Sequence, residues 1–167
     1  MLFLKYLCLV LIIVITTYIG FYKSKIFSNR VKNLKDVKSS LNIFKTKVEF
    51  TYEPIKDIFK EISKVVYQDN ENIFKSFCKL DDDVTISWNN AVQNSKSDFN
   101  KDDREILMLL GKMLGKTDKS GQISQIELVD NFLDKQILDA EEEKKKNEKL
   151  YRTLGVVSGL VIAIILV

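Results

Sequence analysis

Histidine is absent from this chain of 167 residues, proline occurs once, at Pro54, and cysteine is limited to Cys8 and Cys78. Without imidazole there is no side chain whose ordinary titration falls near neutral pH, so histidine general bases and histidine-containing metal sites are excluded. Glycine numbers only six, and neither Asn-Gly nor Asp-Gly occurs, so the signals of tight β-hairpins are missing. Alternation with a period of two is equally scarce, which leaves helix as the dominant expectation.

What is present is divided sharply along the chain. Tyr6 to Tyr22 and Leu154 to Val167 carry no charge, and the stretch between them is rich in lysine. The first apolar run, lengthened by Leu2, Phe3 and Leu4 with Lys5 able to reach the interface, is long enough for a transmembrane helix of about 20 residues. A cleaved secretory signal would end in small residues, whereas this run ends in Tyr18, Ile19, Gly20, Phe21 and Tyr22, so it is expected to stay as an anchor. Cys8 lies before most of the run, which does not suit a lipid-anchor cysteine. Lys23, Lys25, Arg30, Lys32 and Lys35 follow it against Lys5 alone in front, and this asymmetry places the following domain in the cytoplasm.

The second run, Leu154–Val167, rises only about 21 Å as a helix against a hydrocarbon core of about 30 Å. Its position at the end of the sequence and the preceding Lys144, Lys145, Lys146, Lys149 and Arg152 favour membrane, with Leu150 and Tyr151 extending it at the interface. Gly155 and Gly159 match the small-xxx-small pattern that lets membrane helices approach closely, so a homo-oligomer through this C-terminal helix is an expectation. Both termini would then lie outside, and Cys8 and Cys78 would fall in different compartments, which excludes a disulfide between them. The expected organisation is a transmembrane helix over 1–22, a cytoplasmic helical domain over 23–153 and a short transmembrane helix over 154–167.

Within the central stretch helical periodicity recurs. Val31, Leu34, Val37, Leu41, Phe44 and Val48 step by threes and fours, and the first membrane helix is able to run on into them. Pro54 suits the first position of a second helix, whose stripe is Ile55, Ile58, Phe59, Ile62, Val65 and Val66. A third helix fits Glu71 to Leu80, and Asp81-Asp82-Asp83 ends it. Thr85, Ile86, Trp88, Ala91 and Val92 suggest a fourth. Asp102 or Asp103 is expected to cap a fifth, bearing Ile106, Leu107, Met108, Leu109, Leu110, Met113 and Leu114. The last begins near Ser120, carries Ile123, Ile126, Val129, Leu133, Ile137 and Ala140, and continues as a charged stem into the second apolar run. Trp88 and the phenylalanines Phe44, Phe50, Phe59, Phe74 and Phe77 are spaced as core residues. The fold expected is all-α: a membrane-anchored helical bundle with N-terminal and C-terminal transmembrane helices.

Catalytic constellations do not emerge. Gly111-Lys112-Met113-Leu114-Gly115-Lys116-Thr117 resembles a phosphate loop, but only three residues separate the glycines where four are required, and no strand precedes them. Close packing at Gly111 and helix termination at Gly115 explain the stretch better. Asp81, Asp82 and Asp83 lack the alternating ligands, central glycine and late glutamate of a calcium loop, so a solvated turn is expected. A carboxylate-dependent membrane hydrolase stands as the rival from another class, and it would need two carboxylates converging in a pocket. The net charge is only +3 and the basic run abuts a membrane span, so topology rather than nucleic acid accounts for the lysines. No metal or other cofactor is implied.

Four stretches carry a family resemblance. Leu109-Leu110-Gly111-Lys112-Met113-Leu114-Gly115-Lys116-Thr117-Asp118 is followed by Gln122, Ile126 and Leu128. Tyr151-Arg152-Thr153-Leu154-Gly155 opens the final apolar run and leads to Gly159. Thr51-Tyr52-Glu53-Pro54 and Trp88-x-x-Ala91 complete the set. Together they resemble the stage III sporulation protein AB family of endospore-forming bacteria over essentially the whole chain. Leu110 stands where that family usually has phenylalanine, and Ile55 where it has leucine. The resemblance implies a role in sporulation, in the mother-cell membrane around the forespore, within a channel or secretion-like complex. It also implies kinship with the cytoplasmic domains of type II secretion and type IV pilus platform proteins. The implied partners are therefore a cytoplasmic secretion-type ATPase, the other proteins of the same sporulation complex, and the phospholipid membrane. An oligomeric channel-forming component is the nearest alternative.

Overall fold

The structure, a computed structural model, describes the chain apart from residues 1, 69, 81, 113, 117 and 167 and the side chains of residues 2–4. Asp81 of the acidic run, Met113 of the fifth apolar stripe and Thr117 of the following turn thus lie outside the described residues. Among the described residues there are six α-helices and no strand: α1 Leu2–Phe50, α2 Ile55–Tyr67, α3 Ile73–Cys78, α4 Val84–Gln93, α5 Lys101–Gly111 and α6 Lys119–Leu166. The chain divides into two compact units. A terminal unit comprises Met1–Val31 and Asp139–Val167, and a central unit comprises Lys32–Leu138.

The terminal unit is built from the two apolar runs. Both helices are long and apolar enough to cross a membrane, with mean hydropathy 1.9 and 1.7 over their most apolar windows. Only 17% of either window is buried, which distinguishes them from the core helices of a soluble protein. Tyr18, Ile164 and Ile165 are among the large apolar side chains turned outward, a continuous greasy surface that water would not tolerate.

The central unit is a bundle around an aromatic core. Leu34, Val37, Leu41 and Phe44 of α1 present the expected stripe, and each is essentially buried. Phe59 of α2 touches Phe44, Phe74, Phe77 and Trp88, with ring centroids 4.9 to 5.3 Å apart, mostly in edge-to-face arrangements favoured by the ring quadrupoles. Leu107 and Leu110 of α5 and Ile126, Val129 and Leu133 of α6 fill the rest.

Several local expectations are corrected. Phe50 is 75% exposed, because α1 ends there and the irregular 51–54 stretch leaves it uncovered. Val65 and Ile86 also face solvent, having sat on the edges of stripes drawn too wide. α3 is shorter than Glu71 to Leu80, since Asn72 caps it by accepting from the Lys75 N–H at 3.0 Å. Pro54 stands one residue before α2, where its carbonyl accepts from the Asp57 and Ile58 N–H groups. The cap of α5 is Asn100, and Asp103 returns a bond to the Asn100 N–H in a reciprocal capping box, so Asp103 supports the cap and does not occupy it.

Candidate functional site

In the terminal unit the features marked by sequence come together as a helix pair. A Cβ on Gly20 would lie 2.7 Å from the Gly155 Cα and 2.7 Å from the Tyr151 carbonyl oxygen, so the two backbones touch where only glycine permits it. A Cβ on Gly155 would meet the Thr16 carbonyl oxygen at 2.9 Å, and one on Gly159 the Thr16 Oγ1 at 2.3 Å. Residue numbers fall on α6 as they rise on α1, so the helices run antiparallel. The small-residue face of Gly155 and Gly159, from which pairing between chains was expected, is occupied by α1 of the same chain.

The polar end of this pair is equally specific. The Arg152 Nε donates to the Ser24 Oγ at 2.9 Å, its guanidinium lies 5.5 Å from the Phe21 ring centroid, and it pairs with Glu148 one turn back. Tyr151 stacks on Phe27 at 5.6 Å. Next comes Arg30, 5% exposed, whose guanidinium reaches Glu143 at 2.7 Å. Ser24 and Arg152 lie where the uncharged runs of the two helices stop, so their contact marks one common level at which both leave apolar surroundings.

In the central unit the remaining marked residues are architectural. Trp88 is fully buried and its indole N–H donates to the Leu107 carbonyl at 2.6 Å. Gly111 closes α5 against that indole: a Cβ there would sit 2.3 Å from Trp88 Cδ1. Ala91, 2% exposed, lies one turn from Trp88 on the same buried face of α4. α5 ends at Gly111, four residues earlier than Gly115, but the Leu114 N–H still reaches the Leu110 carbonyl and keeps Leu114 buried. Gly115 then adopts φ +72°, the left-handed conformation that stops the turn. Asp118 opens α6, accepting from the Ser120 hydroxyl at 2.8 Å and the Gly121 N–H at 3.0 Å; these bonds hold its carboxyl below the usual carboxylate range. Its carbonyl accepts from the Gln122 N–H, which fixes that residue in the first turn.

Some residues carry weight without a signal recognised in the sequence. Arg104 donates to the carbonyl oxygens of Val92, Gln93, Ser95 and Ser97, satisfying the open end of α4 and the loop after it. Lys38 of α1 bridges Asp130 and Asp134 of α6 at 3.0 and 2.6 Å. Burial acts to lower its pKa, but the bonds from Asp134 and Asp130 outweigh this and raise it. Thr16 and Gly20 have the same small-xxx-small spacing, a signal passed over in the sequence, and they face Gly155 and Gly159.

Of the acidic run, Asp83 caps α4 by accepting from the Thr85 N–H at 2.8 Å, and Asp82 is exposed. A cleft between α2 and α3 holds one carboxylate, Asp57, among lysines, which is not the converging carboxylate pair a hydrolase requires. Burial raises the pKa of the Cys78 thiol beside it, against the influence of Lys56 and Lys60, which disfavours the thiolate.

The fold and the paired apolar helices define a membrane-anchored, all-helical protein. The sequence model of the stage III sporulation protein AB family matches residues 5–167. Stage III sporulation protein AB of Bacillus subtilis (strain 168) is 27% identical over 169 aligned positions, covering 98% of this chain and 99% of its own length. A solved structure of a stage III sporulation protein AB superposes with a TM-score of 0.64 over 71% of this chain and 98% of that one; at 19% identity this likeness shows the fold. The chain belongs to the stage III sporulation protein AB family.

Proposed function

We propose that this chain is a non-enzymatic membrane adaptor of a mother cell to forespore channel or secretion-like complex, and that its central domain docks a cytoplasmic secretion-type ATPase. The supporting observations are the pairing of the two terminal apolar helices and, separately, a helical domain whose marked residues serve as caps, clasps and close-packing devices. In this reading residues 1–22 and 154–167 span the mother-cell membrane around the forespore, and 23–153 face the cytoplasm. The lysines at the bilayer surface add attraction to anionic lipid of about 1 kcal/mol each. An oligomeric channel built through Gly155 and Gly159 is the weaker alternative, since that face already holds Gly20 and Thr16.

The test is co-purification of the full-length chain, in detergent, with the folded ATPase of the same complex. Co-elution is expected. Clean separation, with the ATPase shown to be folded, overturns the adaptor reading.

A further inference from the structure

α2 and α3 enclose a cleft of about 380 Å³ whose walls are lined by Lys56, Lys60 and Lys64 on one side and Lys75 and Lys79 on the other. We propose that this cleft receives an acidic segment of a partner protein, which gives the adaptor reading a docking surface and rests on it. The lysines of α2 recur every four residues, one row about 12 Å long, and Lys75 of α3 with Lys79 at its C-cap repeats the spacing at about 6 Å. An acidic helix with carboxylates at the same interval presents charges at the same pitch.

The lining is one-sided in charge. Among the described residues Asp57 is the single carboxylate in it, and neither Lys60 nor Lys64 has an ion pair. Lys79 shares its charge with Glu71 at 2.6 Å, and Lys56 also donates to the Leu80 carbonyl at 3.2 Å. A compact phosphate would need donors converging on one point. Here the floor is Ser63, whose hydroxyl already accepts from the Asn72 amide, and Cys78, whose thiol donates to the Lys56 carbonyl. A bilayer presents a plane of charge, whereas these rows line facing walls, so an inserted protein segment fits better. Charge complementarity of this kind mainly accelerates and selects encounters and weakens with salt.

The test uses the full chain in phosphatidylcholine nanodiscs and, as probe, a fluorescent helical peptide with glutamate at every fourth position, followed by anisotropy. Lys60→Glu/Lys64→Glu/Lys75→Glu is expected to weaken binding at least tenfold. Lys101→Glu/Lys116→Glu/Lys135→Glu, an equal charge change outside the cleft, is expected to alter it less than twofold. Equal losses overturn the proposal in favour of net charge. In a Cys8→Ser chain the peptide should also slow alkylation of Cys78, and an unchanged rate counts against the cleft even if a variant misfolds. If phosphatidylglycerol vesicles, used in place of the peptide, show the cleft-specific loss while the peptide does not, lipid is the occupant and the proposal falls. ATPase co-purification kept by the cleft variant likewise removes the cleft while leaving the adaptor. Cleft-specific peptide binding without ATPase co-purification supports the cleft and overturns that partner.

Discussion

Gly111 and Gly115 stand four residues apart in one motif, yet different physics requires each. In an open helix, replacing glycine by alanine gains about 1 kcal/mol. At Gly111 the added Cβ would fall 2.3 Å from Trp88 Cδ1, and the indole is pinned by its bond to Leu107, so overpacking should cost about 1–3 kcal/mol. At Gly115 the nearest atom would be Ile55 Cδ1 at 3.8 Å, so space is free and the cost, about 1–2 kcal/mol, comes from φ +72°. Denaturant unfolding of Gly111→Ala and Gly115→Ala should show both losses, with the native Trp88 emission shifted only in the first. The failed phosphate-loop spacing already pointed to packing at Gly111, but its partner was hidden because Trp88 lies on a different helix. A pH effect belongs to the same scale. Burial pushes the Tyr67 phenol well above its ordinary value, with Ser40 opposing. A raised folded pKa contributes stability that is complete below about pH 10 and is lost as pH climbs toward the folded value. Tyr67→Phe should therefore flatten the alkaline limb of the stability curve, measured by denaturant midpoint against pH; an unchanged limb would refute the assignment.

Helix content and the two long helices were readable from periodicity and from the absence of proline and glycine between Lys23 and Asn29, which leaves nothing there to break the first helix. Helix pairing was only half readable. The motif at Gly155 and Gly159 was visible, but the complementary Thr16, Gly20 and Ser24 face was not singled out, and a motif does not specify whether its partner is another chain or the same one. The structure answers with a contact in which neither glycine tolerates a side chain. Gly20→Ile should separate the helices as effectively as Gly155→Ile, since each inserts atoms into the same backbone contact. With Cys8→Ser and Cys78→Ser as background, Phe27→Cys together with Tyr151→Cys, whose native rings stack at 5.6 Å, should give an intramolecular product with a short bifunctional maleimide. Gly20→Ile should suppress that product severalfold. A product that is mainly intermolecular would instead return the glycine motif to pairing between chains. End positions of the shorter helices were less legible, because Asn72 and Asn100 compete as caps with nearby acidic residues, and only the folded geometry shows which oxygen reaches the free N–H groups.

For the molecule as a whole, the strongest constraint is that two apolar helices run antiparallel and change from uncharged to charged at the Ser24–Arg152 contact. In the proposed topology the chain returns to the membrane face it left, and the lysines and arginines clustered next to both spans favour that face being the inner one. Moving a cluster of such charges to the opposite face would oppose both insertion and surface attraction, so the two anchors reinforce one orientation. The consequence is measurable in intact cells expressing a Cys8→Ser/Cys78→Ser chain with Lys116→Cys, an exposed position of the central unit. A membrane-impermeant maleimide should label that cysteine only after permeabilisation. Labelling in intact cells would put the central unit outside, where no cytoplasmic ATPase can reach it, and the proposed adaptor role would fail on topology before any docking surface mattered.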